Sequence, residues 1–134
     1  LRRRWTVAHP NAEILRRIDE AQASGDLEAL FANFTEDIKG HVMGRNSLAG
    51  DFEGKEKMQE VFGRFMSAMG DYSFENHAYL ADDEHGVALQ TSKAQRGGKT
   101  LELQEAFICH FRGGKVSEMW YVPLDQAAFD AWVG

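Results

Sequence analysis

One change of period constrains this chain more than any other feature of it. Up to Gly70 the apolar residues recur every three or four positions; after Gly70 they recur every second position for about fifty residues. A period of two sustained that long means consecutive strands. The joints Gly97-Gly98 and Gly113-Gly114 read as two-glycine hairpin turns, because glycine accepts the positive φ that such turns require. The spacing predicts strands over Tyr72–Ala81, Gly86–Arg96, Thr100–Arg112 and Lys115–Val122, with Pro123 ending the last.

The part before Gly70 is helical. Pro10 suits a first helical turn, and Ile14, Leu15, Ile18 and Ala21 follow at helical spacing until Gly25, which suits a left-handed cap. Asp26 caps a second, short helix whose Leu27, Leu30, Phe31 and Phe34 fall at i, i+3, i+4 and i+7. Ile38–Val42 reads as a short strand, and the glycine-rich run from Met43 to Gly54 as an ordered loop. Met58, Val61, Phe62, Phe65 and Met69 then make the apolar stripe of a third helix, and Leu124–Val133 reads as a short final one.

Helices first and a long meander afterwards predict an α+β fold. Its sheet is antiparallel, strongly curved and cone-shaped, with three N-terminal helices packed on the concave face and a short C-terminal helix. The first three meander strands run ten to thirteen residues, longer than average, and strands of that length coil strongly. The 134 residues read as one domain, with 1–9 as an extended tail, and a chain of this size buries a core or a closed pocket unaided.

Composition removes several function classes. Fifteen Lys plus Arg against 21 Asp plus Glu give a net charge of −6, and the only basic clusters are Arg2–Arg4 and Arg16-Arg17, so no nucleic-acid partner is expected. No run approaches the ~18 apolar residues of a membrane span, and no apolar segment follows the early arginines, so neither membrane insertion nor export is expected. With Cys109 as its single cysteine, the chain reads as a cytoplasmic protein. No His pair stands at i, i+4, and the run from Gly44 to Gly50 lacks either phosphate-loop spacing, so no metal and no cofactor is expected.

Four motifs taken in order carry a resemblance: "HPNAEILRR" (His9 to Arg17), "SGDLEALFANFTED" (Ser24 to Asp37), "GRNSLAGDFEG" (Gly44 to Gly54) and "GGKVSEMWYVPLDQ" (Gly113 to Gln126). Together they resemble the SnoaL-like branch of the nuclear transport factor 2-like superfamily, related to ketosteroid isomerase. The resemblance implies a conical fold, an apolar pocket roofed by helices and a homodimer formed through the outer sheet face. It implies no single reaction, since isomerases, cyclases, dehydratases, hydrolases and silent binding modules share this fold. The positions that in the isomerase supply two acidic donors and a carboxylate base fall here on Ile18, Phe107 and Val42, none of which moves a proton. Steroid isomerase activity is therefore not expected.

The candidate chemistry lies on two strands. Leu101, Leu103, Glu105, Phe107, Cys109 and Phe111 share a face, so Glu105 interrupts an apolar row as a candidate proton-transfer group, or as the partner of a basic residue such as Lys93. Tyr121 shares a face with Met119 and is the candidate orienting donor. His41 is a third candidate only if a bulge turns it inward, because alternation puts it opposite Val42. Cys109 lacks a His or Asp partner on its face and reads as an inert thiol, and His9, His77, His85 and His110 read as capping, turn or surface residues. Ile18, Val42, Phe62, Phe65, Phe107, Cys109 and Met119 are the expected walls for an apolar small molecule. The chain is thus expected to hold such a ligand, as a cofactor-independent isomerase, cyclase or hydrolase. The alternative is a non-catalytic ligand-binding or interaction module docking through an outer face that carries Trp120, Gln90 and Ser92.

Overall fold

A computed structural model describes residues 9–134. Arg2–Arg4 and all of the expected tail except His9 lie outside the described residues. Helix α1 spans Pro10–Ser24 and is capped at both ends as its sequence demands: His9 Nδ1 accepts from the Asn11 amide at 3.0 Å, and Gly25 closes it with φ 75°. Helix α2 (Leu27–Phe31) starts at Asp26, whose carboxylate accepts from the Ala29 amide at 3.1 Å. Strand β1 (Phe34–Val42), strand β2 (Gly50–Glu53) and helix α3 (Lys55–Met69) follow, then β3 (Asp71–Ala81), β4 (His85–Arg96), β5 (Lys99–Arg112), β6 (Lys115–Pro123) and α4 (Gln126–Val133).

The six strands form one strongly curved sheet in the order β2-β1-β6-β5-β4-β3. Both glycine pairs make two-residue hairpins, with φ between 58° and 78°, closing Arg96 on Lys99 and Arg112 on Lys115. Three local expectations are corrected. Helix α2 stops at Phe31, and Phe34 begins β1 instead, four residues earlier than the apolar pattern suggests. Phe34 still packs edge-on to Phe31 at 5.4 Å, so one buried ring satisfies either reading of the sequence. The loop from Met43 to Gly54 contains β2, a strand held by antiparallel pairing with β1 that no alternation announces. The sheet is also mixed: β1 runs parallel to β6, with His41 opposite Trp120 and Val42 opposite Tyr121, and the other pairs are antiparallel.

The inner face of the sheet packs on the helices in two clusters. One joins Ile14, Leu15 and Phe31 to Ile38, Phe111 and Val116; the other joins Met69, Ala94 and Leu103 to Tyr121, Phe129 and Trp132 of α4. Ile38, Met69 and Phe129 are fully buried, and each contributes roughly 1.5–3 kcal/mol by leaving water. Arg96 ties α4 to α3 by stacking over Trp132, 4.7 Å from the ring centre, while the Trp132 indole donates to the Ala68 carbonyl. Another expectation fails on this face: Gln90 (1% exposed) and Ser92 (2% exposed) point inward with Ala88 and Ala94, so they are not part of the outer surface. The outward set of β4 is Val87, Leu89, Thr91 and Lys93, and polar residues inside mislead an argument from alternation alone.

Candidate functional site

Between the helices and the curved sheet lies an apolar cavity of about 110 Å³. Helix α1 presents Leu15, Ile18, Asp19 and Gln22 to it, a single stripe at i, i+3, i+4 and i+7. Helix α3 contributes Phe62 and Phe65, while Val42, Phe107, Cys109, Met119 and Tyr121 come from the sheet. All seven apolar residues expected as walls therefore line this cavity. Cys109 sits there as a buried thiol whose ionisation burial pushes up to about 12, which leaves it without nucleophilic character near neutrality.

The two carboxylates of the interior differ in setting. Glu105 is 1% exposed and is not on the cavity wall. Its Oε1 accepts from the Tyr72 hydroxyl and from Gln90 Nε2, both at 2.8 Å, and its Oε2 accepts from the Tyr121 hydroxyl. Lys93 is not a partner; it stands exposed on the other face of β4, opposite Glu102. The expected roles of Glu105 and Tyr121 change accordingly. A tyrosine has one hydroxyl proton, and Tyr121 commits it to Glu105, so it has none to orient a ligand with. Burial first, and then the Glu105 charge, push the phenols of both Tyr72 and Tyr121 up, which holds them as donors. Phe65 closes the cluster from α3 with its ring edge-on to both tyrosines, at 5.5 and 5.3 Å.

Asp19 is the residue that the sequence reading missed. It is 8% exposed and is the single charged side chain on the cavity wall among the described residues. Tyr79 donates to it at 2.8 Å and Asn76 at 3.3 Å, both to Oδ2, and Oδ1 accepts from no described residue. Strict alternation would put Asn76 and Tyr79 on opposite faces of β3. A bulge brings them together: Asn76 pairs with Gln90 and Ala78 with Leu89, leaving His77 as the extra residue and reversing the parity beyond it. Burial pushes the Asp19 carboxyl up to about 6, while the bonds from Tyr79 and Asn76 pull the other way. The signal was present in α1, since Asp19 stands at i+4 from Leu15 on the buried stripe.

His41 lies outside the cavity, so its expected catalytic place is corrected. Its ring stacks on Trp120 at 5.0 Å on the outer face, and its two nitrogens each lie 2.7 Å from a carboxylate, Asp51 and Glu118. Burial lowers its basicity, but the two carboxylates outweigh that and hold the imidazole above its usual range. The register shift that β1 does carry, between Phe34 and Lys39, leaves His41 on the outer face. His110 packs edge-on to the same Trp120 and also faces out. Among the described residues no three His, Cys, Asp or Glu side chains are grouped to hold a metal, and no helix is long and apolar enough to cross a membrane.

Three similar proteins frame this geometry. Bal32a, from a soil-derived mobile gene cassette, superposes with a TM-score of 0.87 at 31% identity, over 95% of this chain and 98% of its own. A Mycobacterium tuberculosis H37Rv protein described as uncharacterized is 29% identical over 122 residues, 90% of this chain and 93% of the relative. TerC, co-crystallized with polyporic acid, shares the fold with a TM-score of 0.82 at 19% identity, over 93% and 98% of the two chains. The SnoaL-like domain pattern matches residues 15–119, from the α1 stripe that carries Asp19 to the last cavity strand, and on that match the chain belongs to the SnoaL-like domain family.

Proposed function

We propose that the protein holds an apolar small molecule inside the cone and that Asp19 exchanges a proton with it, in a cofactor-independent reaction of the isomerase, cyclase or hydrolase kind. The observation that carries this reading is the pairing of an apolar cavity with one carboxyl on its wall whose Oδ1 accepts from no described residue. A carboxyl titrating at about 6 is populated in both forms near neutral pH, which suits it to take up or deliver a proton. Tyr79 and Asn76 act as positioning residues, fixing Oδ2 and leaving Oδ1 to a ligand. That TerC, with this fold, crystallizes with polyporic acid supports a ligand in the cone.

The test is a thermal-shift screen of flat apolar and aromatic compounds, run in parallel on the protein and on Ile18→Trp, which fills the cavity. A ligand at 100 times its dissociation constant stabilises by about 2.7 kcal/mol, so a binding class is expected to raise the melting temperature of the protein and not of the variant. On a compound that is turned over, Asp19→Asn is expected to lose the reaction. A screen with no stabilising compound would overturn the pocket, and full turnover by Asp19→Asn would overturn the proton transfer.

A second reading concerns the outer face. Leu80, Val87, Ile108 and Trp120 lie directly opposite one another across four strands, and Leu89 and Val122 stand in the adjacent row. Leu80 is 57% exposed and Ile108 39%, so this row is an apolar band open to solvent. It supports the homodimer that the family resemblance implies, formed through the outer sheet face.

A further inference from the structure

We propose that the ligand of this cavity is an organic cation, an apolar molecule carrying a single ammonium group, and that Asp19 Oδ1 receives its N–H. The inference rests on the pocket reading above and adds the chemical class of what fills it.

The first argument is charge. The cavity lining contains one acidic side chain and, among the described residues, no Lys, Arg or His. Arg16, one turn before Asp19 on α1, is engaged in ion pairs with Glu13 and Glu20 on the helix surface. Around Asp19 the remaining polar groups are neutral: Tyr79 and Asn76 from β3, and Gln22 from α1. A buried carboxylate needs its oxygens hydrogen-bonded or paired, and among the described residues Asp19 has two neutral donors on one oxygen, none on the other and no counter-charge. An ammonium supplies both the charge and the missing donor for Oδ1, whereas an alcohol supplies only the donor.

The second argument is the wall. Phe31, Phe34, Phe62, Phe65, Phe107 and Tyr121 put six aromatic rings around the space. Aromatic faces attract cations, and they offer nothing to an anion. The contrast within the molecule is direct: Glu105, also buried, has three donors filling its oxygens and no face on the cavity, so it leaves nothing for a ligand.

The experiment compares three molecules of one shape, 4-phenylbutylamine, 4-phenylbutan-1-ol and 4-phenylbutyric acid, by titration calorimetry against the full chain and against Asp19→Asn. At pH 7.5 the amine is expected to bind roughly tenfold or more tighter than the alcohol, with the acid weakest. In Asp19→Asn the advantage of the amine over the alcohol is expected to vanish. At pH 4.5 the advantage is expected to shrink in the unmutated protein, because Asp19 is then protonated while the amine stays charged. An alcohol that binds as well as the amine, or an amine preference that survives in Asp19→Asn, overturns the proposal and leaves the pocket standing. Failure of all three molecules overturns the proposal too, and whether the pocket reading falls with it is read separately from the apolar screen.

Discussion

Glu105 and Asp19 are both buried carboxyls in the same interior, and they have opposite characters. Glu105 sits at the centre of a sheet, where β3, β4 and β6 each bring one donor to it. Asp19 sits on a helix against the edge of that sheet, where the two donors from β3 reach the same oxygen. The first carboxyl is used up by the fold, and the second is half used. What distinguishes the two carboxyls is a place on the cavity wall and an oxygen that accepts from no described residue, since burial alone describes both.

That comparison breaks most sharply on stability. Glu105→Ala leaves two phenols and an amide without their acceptor in the core, and is expected to lose about 3–5 kcal/mol in urea unfolding followed by circular dichroism. A loss below about 1 kcal/mol would mean that the cluster does not hold the sheet together. Asp19→Asn is expected to move the other way. Burial raises the folded carboxyl to about 6 from 3.8, so the folded state binds more protons than the unfolded one between those values. Stability is therefore greatest below about pH 3.8 and declines as pH rises to about 6. The gap corresponds to about 3 kcal/mol at most, so at pH 8 Asp19→Asn is expected to be about 1–3 kcal/mol more stable than the parent, and equal to it near pH 3.5. Equal stability at both pH values would place Asp19 in water and remove the contrast with Glu105. The smallest effect on folding is expected from a third carboxylate placed outside. Ile108→Asp, on the open apolar row, is expected to change monomer stability by about 1 kcal/mol or less while abolishing a dimer seen by sedimentation equilibrium at micromolar concentration. A dimer that survives Ile108→Asp would lie on another face.

Much of the architecture was legible for physical reasons that act locally. The caps His9, Gly25 and Asp26, the two-glycine hairpins and the stripe on α3 depend on neighbours a few residues away, and they stand where the sequence puts them. The apolar walls of the cavity follow from the same periodicities. Strand β2 was not legible, because its four residues are held by pairing with β1 and carry no pattern of their own. Gln90 and Ser92 were misplaced because an inward polar residue resembles an outward one until its partner is known, and the partner of Gln90, Glu105, comes from the next strand.

The sequence by itself determined the helices, the meander, the apolar interior and the oddity of a glutamate within it, since each of these is a matter of spacing along one segment. Only the tertiary structure decided which carboxyl lines the cavity. That choice depends on three segments meeting: α1 carries Asp19, while the one-residue bulge at His77 turns Asn76 and Tyr79 to the same side, and β4 sets the register that makes the bulge. A single extra residue in a ladder reverses every side chain beyond it, and whether a strand takes that step is settled by what packs on its other side.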